Sequence, residues 1–200
     1  MKNCPWCNSS NYGGFPSESA KYLDILEPMM PPTLNVIEVG SGGWPVVAHA
    51  LQVELSVGEF EHYTSGAFRP PVQWRIEHAD LMAGIGLALP FKDGVADVLF
   101  SSHLIEDVPA EYTASTLREW ARVVKPGGKL IILHPHREIW NYCIQHRGQP
   151  PNMEHRAERL EGELGEIAKS LGLIVERDSL LKHFEYDYTI LSIFSVPRQA

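Results

Sequence analysis

The chain has 200 residues, 44% of them hydrophobic, enough for one domain with a full core. Seventeen basic side chains against twenty-five acidic ones leave a net charge of −8. That balance excludes sequence-independent binding to nucleic acid or to an anionic membrane as the main task. No apolar run approaches the ~20 residues of a membrane span, and Met1-Lys2-Asn3-Cys4 begins no signal-peptide core, so the expected compartment is the cytoplasm.

Residues 1 to about 16 are polar and turn-rich and read as an arm. Cys4-Pro-Trp-Cys7 has the spacing of a zinc knuckle or a redox pair. A closed zinc site needs four ligands, and no second Cys-x-x-Cys supplies them. A redox pair would open a helix, where Asn8-Ser9-Ser10-Asn11 follows instead, so the pair reads first as a plain N-terminal turn with no metal, and a zinc site there would need distant histidines as further ligands. Ser17 to Met30 reads as a short helix with Tyr22, Leu23, Ile25 and Leu26 on its apolar side, ended by Pro28 and Pro31-Pro32. Residues 1–33 thus form an N-terminal arm and helix, and 34–200 the main domain.

The main domain opens with Leu34–Val39, an apolar run suited to a buried strand, apart from Glu38, whose charge needs a partner there. Gly40, Gly42 and Gly43 follow. Glycine allows a left-handed backbone and removes the Cβ atoms that would keep a ligand off the chain. Trp44-Pro45 then opens a helix over Pro45–Ala50, because proline suits a first helical turn. Strand, glycine turn and helix N-terminus make a nucleotide-type site at the carboxyl edge of a parallel sheet. After Gly40 and Gly42, the third glycine of a dinucleotide fingerprint is replaced by Pro45, and no Gly-Lys-Ser/Thr ending is present. The turn therefore favours a ligand without a pyrophosphate.

Further strands are expected at Leu51–Leu55, Gln73–His78, Ala96–Ser101, Lys129–His134, Leu173–Arg177 and Tyr188–Val196, with helices at Ala110–Val123 and Glu154–Leu171. Such alternation indicates a mainly parallel α/β sheet covered on both faces. Only Ser41 to Ala50 separate the first two strands, whereas a parallel crossover needs at least ~10–12 residues. Either that helix is very short or the second strand lies later.

The segment from Asp80 to His134 carries four further pieces in order. They are Asp80-Leu81, Leu89-Pro90-Phe91-Lys92-Asp93-Gly94, Asp97-Val98-Leu99-Phe100-Ser101-Ser102-His103-Leu104-Ile105-Glu106-Asp107, and Glu119-Trp120-Ala121-Arg122-Val123-Val124-Lys125-Pro126-Gly127-Gly128. With Glu38-x-Gly40-x-Gly42, this arrangement resembles the class I S-adenosylmethionine-dependent methyltransferases, over roughly Leu34 to Pro135. The resemblance implies a Rossmann-like, three-layer fold on a seven-stranded sheet of order 3-2-1-4-5-7-6 with the last strand antiparallel. It implies S-adenosylmethionine as cofactor. Glu38 would sit beside the methionine ammonium, with Gly40, Ser41 and Gly42 along the methionine and ribose. Glu54 would take the ribose hydroxyls, and Asp80 and Leu81 the adenine. Ser102 and His103, just past strand four, would border the methyl group and the substrate. The family often has Leu-Glu-His after strand four; here Ile105-Glu106-Asp107 stands instead, so a base at that histidine has moved or been lost.

Pro126-Gly127-Gly128 reads as a structural turn, and Leu89 and Phe91 as packing. Histidines and arginines cluster late in the chain, at His134-Pro135-His136-Arg137, His146-Arg147 and His155-Arg156. Loops after strands five to seven border the substrate end of such a crevice, so His134, His136 and Arg137 are candidates on the substrate side, with Asp107 from the loop after strand four. The expected chemistry is in-line methyl transfer to a small-molecule acceptor, with His103 the first candidate for a general base. Two rivals stand beside it: a non-catalytic S-adenosylmethionine-binding or regulatory domain of the same fold, and a nucleotide-sugar or NAD enzyme, which the missing glycine disfavours.

Overall fold

The computed structural model describes residues 18–41, 45–55, 81–83, 88–148, 151–152, 155–183 and 187–198. Seven strands form one sheet: β1 (Val36–Val39), β2 (Leu51–Leu55), β3 (Leu81–Ala83), β4 (Ala96–Ser102), β5 (Val124–Pro135), β6 (Ile174–Leu180) and β7 (Thr189–Ser195). Their order is β3-β2-β1-β4-β5-β7-β6. The first five pair in parallel, while β7 runs antiparallel to both β5 and β6, as the resemblance implied. Strand order reverses between β1 and β4, so their carboxyl ends open a crevice at the switch point.

Period-two alternation along the strands supplies both apolar faces. On β5, Leu130 and Ile132 join Trp120, Leu117, Leu164 and Ala168 on one side of the sheet. Ile131 and Leu133 join Tyr22, Leu26, Met30, Val46 and Val47 on the other. Each large side chain removed from water contributes about 1.5–3 kcal/mol before entropy is counted, so both layers are needed. The N-terminal helix α1 (Leu23–Leu26), flanked by 3-10 turns at Ser19–Tyr22 and Glu27–Met29, belongs to the second layer. Its Tyr22 hydroxyl bonds Asp187 at 2.7 Å and Thr189 at 2.9 Å, tying it to the start of β7.

Helix α2 (Ala110–Val123) has the bounds its periodicity predicts, with Thr113, Thr116, Leu117, Trp120 and Val123 buried. Arg122 near its end donates to the carbonyls of Phe91 (2.8 Å) and Leu89 (3.1 Å), while Glu119 accepts the Leu89 N–H at 2.8 Å. The Leu-Pro-Phe segment is thus strapped to α2, a structural use of that motif. Pro126-Gly127-Gly128 is a bulge inside β5, with the pairing register against β4 shifting there, and not a turn before the strand. A Cβ on Gly128 would stand 2.6 Å from the Asp97 carbonyl, which only glycine avoids.

Two expected elements differ, and a third falls outside what is described. Residues 45–50 make turns and no helix, because the crossover is too short and Val46, Val47 and Ala50 are drawn into the core. The strand beside β2 is Leu81–Ala83; the expected 73–78 lies outside the described residues. The long helix expected at Glu154–Leu171 is limited to Glu163–Ser170, labelled α4, which Gly162 precedes at φ +84°. Before it, α3 (Arg137–His146) occupies a stretch that sequence left without an element. Among the described residues no helix is long and apolar enough to cross a membrane, and no group of three or more His, Cys, Asp or Glu could hold a metal.

Candidate active site

The crevice is built first from β1 and the turn after it. Glu38 pairs in register with Gln52 of β2 and Phe100 of β4, and is 1% exposed. Its Oε2 accepts the Val46 backbone N–H at 2.6 Å. Burial, partly offset by that N–H and reinforced by the negative charge of Glu54, pushes the Glu38 carboxyl up to about 8. No described cation pairs with it. A cationic group arriving beside it would relieve that penalty by favouring the ionised form.

Gly40 follows at φ +78°, donating its N–H to the Val53 carbonyl at 2.9 Å. A Cβ there would stand 3.0 Å from Leu104 Cδ2, so conformation and space both demand glycine. Ser41 Oγ lies 2.7 Å from Glu54 Oε1 and 3.0 Å from Gln52 Oε1. Glu54, buried on β2, is thereby joined to the glycine turn across the sheet. Leu81 pairs with Val53, so the backbone of β3 continues this edge; nothing is described of its side chain. Gly42 and Asp80 lie outside the described residues, as do Cys4 and Cys7.

The far wall comes from β4. Ser101 Oγ donates to the Val39 carbonyl at 3.0 Å, locking β1 to β4, and Ser102 is half-buried beside it. His103 ends the strand, donating its N–H to the Leu133 carbonyl at 2.9 Å. Its φ of +51° is left-handed, an uncommon conformation for a non-glycine residue. His103 Nδ1 lies 3.1 Å from Oε1 of Glu106, a carboxylate with no exposure. Burial by itself would lower the histidine's pKa, but the hydrogen bond and charge of Glu106 outweigh it and hold the imidazole above its ordinary range. Burial likewise opposes the Glu106 charge, and His103 with His155 overcomes it, keeping the carboxylate ionised.

The structure brings Glu38, Gly40, Ser41, Glu54, Ser102 and His103 to one sheet edge. The candidates on the substrate side are held in contacts of their own. Asp107 is buried in the loop after β4, one residue beyond Glu106. His134 is buried beneath the start of α4, with Nε2 at 3.0 Å from Ser192 Oγ and 3.8 Å from Asp178. His136 caps α3, its Nδ1 accepting the Ile139 N–H at 3.4 Å, and Arg137 pairs with Glu163 at 3.2 Å. These contacts give His134, His136 and Arg137 structural duties. Sequence reasoning missed Glu106 and His155 as site residues. Their signals were the departure at Ile105-Glu106-Asp107 and the late histidine cluster.

The family model described as a methyltransferase domain matches residues 40–132. Sheet order and switch-point crevice are those of the class I S-adenosylmethionine-dependent methyltransferase fold, and the segment 40–132 within it is similar to a methyltransferase domain. A demethylmenaquinone methyltransferase of Mycolicibacterium vanbaalenii is 34% identical over 116 residues, covering 58% of this chain and 42% of that protein. The chain spans less than half the length of the curated relatives it matches. Among solved structures, a methyltransferase from Thermotoga maritima superposes with a TM-score of 0.63 at 18% identity, over 88% of each chain. Another from Aquifex aeolicus gives 0.58 at 17% identity, over 94% of each. At those identities the likeness shows the fold.

Proposed function

We propose that this chain transfers the methyl group of S-adenosylmethionine to a small-molecule acceptor in the crevice between β1 and β4. The observation that carries the reading is the pair of buried carboxylates, Glu38 and Glu54, joined through the Gly40-Ser41 turn. Those residues fit the cofactor: Glu38 would hold its ammonium, Gly40 would let the backbone approach it, and Glu54 would take its ribose hydroxyls. When bound, the cofactor supplies a methyl group already activated by sulfonium charge. The chain's own work is then to hold and align the acceptor and, where its nucleophilic atom carries a proton, to receive that proton at His103. The relative named for demethylmenaquinone makes a ring-bearing acceptor the first to try.

Calorimetry tests the reading directly. S-adenosylmethionine and its demethylated product should each bind with micromolar affinity, with no heat from NAD. Absence of detectable binding at saturating protein refutes the proposal. Binding without formation of the demethylated product across a panel of phenols, quinols, amines and thiols would favour a non-catalytic domain of the same fold.

A further inference from the structure

We infer that Glu106 positions His103 as the base for the acceptor's proton, and that His155 steadies Glu106 from the other side. The inference rests on the methyl-transfer reading above and adds to it a residue pair and a requirement on the acceptor. Glu106 is fully buried, and neither of its oxygens has a well-aligned hydrogen bond. Its contacts are imidazole nitrogens: His103 Nδ1 at 3.1 Å and His155 Nε2 at 3.7 Å, both from Oε1. His155 Nδ1 lies 2.6 Å from Glu158 Oε1. The segment carrying His155 is pinned in place because the Arg156 and Ala157 N–H groups both donate to the Glu106 carbonyl, at 2.7 and 2.8 Å. The line Glu158, His155, Glu106, His103 therefore ends at His103 Nε2, which is buried and has no hydrogen-bond partner among the described residues.

A carboxylate against Nδ1 selects the tautomer with its proton on Nδ1 and its lone pair on Nε2, the arrangement a proton acceptor needs. His103 holds this position on a left-handed backbone, φ +51°, a conformation uncommon outside glycine. Tyr188 meets the imidazole edge-on, with centroids 6.1 Å apart, and Trp140 backs Tyr188 at 4.9 Å and His155 at 5.1 Å. The charged groups that act on His103 are Glu106, Glu18 and Lys21; His155 and Arg159 act on Glu106. As the acceptor atom bonds to the methyl carbon, the carbon–sulfur bond breaks with its electron pair left on sulfur. The acceptor's proton passes to Nε2, and the imidazolium that forms is matched by the Glu106 charge. Such a pair serves an acceptor bearing an O–H, N–H or S–H; a carboxylate acceptor would leave it without a task.

Nitrogen NMR on the full chain with labelled histidine tests this without an acceptor. Neutral His103 should carry its proton on Nδ1 and titrate above the ~6.5 of a free histidine. Glu106→Gln should lower that midpoint by at least one pH unit, and His155→Gln by less, with affinity for the demethylated cofactor product within twofold of wild type. A proton on Nε2 in the wild-type protein overturns the inference, and this readout needs no variant to fold. An unchanged midpoint in a Glu106→Gln protein that still binds the product overturns it equally. Failure of the wild-type protein to bind the product would instead refute the methyl-transfer reading, while the tautomer still decides the pair.

Discussion

Replacing Glu38 with glutamine isolates the charge at the heart of the crevice. The amide oxygen can still accept the Val46 N–H that Oε2 accepts at 2.6 Å, so the turn keeps its tie while the ionisable group is lost. In the folded protein burial pushes the carboxyl up to about 8, against the ordinary 4.5 of a glutamate. Between those values the unfolded chain has released the proton that the folded chain retains, so wild-type stability falls as pH rises. Each pH unit in that window costs about 1.4 kcal/mol relative to the glutamine variant, up to roughly 5 kcal/mol across it. The total is an upper limit, because the site relaxes and admits water when the carboxylate forms. Urea unfolding of both proteins at pH 5, 6.5 and 8 measures the difference, and titrations elsewhere cancel. Glu38→Gln should gain on wild type steadily up to pH 8 and not beyond, yet bind S-adenosylmethionine much more weakly. A difference in stability that stays flat with pH would refute the assignment of a buried, unpaired Glu38.

Gly40→Val should abolish cofactor binding and lower thermal stability, since its Cβ would meet Leu104 at 3.0 Å on a left-handed backbone; normal binding would place the cradle elsewhere. Glu54→Ala should weaken binding by about 1–3 kcal/mol and lower the Glu38 midpoint, because one raising influence on that carboxyl is removed; calorimetry and the pH dependence of unfolding read the two effects separately. Trp120→Ala should cost about 3–5 kcal/mol in denaturant unfolding, as the fully buried ring joins α2 to the sheet; a loss under 1 kcal/mol would mean that the layer is not packed as described.

Local pattern was enough for several elements. Short apolar runs marked β1, β4 and β5 because strands of a parallel sheet covered on both faces are buried residue after residue. Helix α2 was legible from end to end, since three- and four-residue steps through Thr113, Leu117 and Trp120 sustain it. Glu38 and Gly40 could be singled out because a charge in a buried strand and glycine at a turn are local anomalies. Tertiary structure decided the rest. Helix α3 hid behind histidines and arginines, because its stability comes from Trp140 and Cys143 docking inward and from the His136 cap. His134 read as a candidate on the substrate side but is buried against Asp178 and Ser192, which arrive from strands more than forty residues away. The site's base is oriented the same way. Nothing near His103 in the chain reveals that His155 stands on the far side of Glu106, because only the folding of the 155–159 segment over the loop after β4 brings the two histidines to one carboxylate.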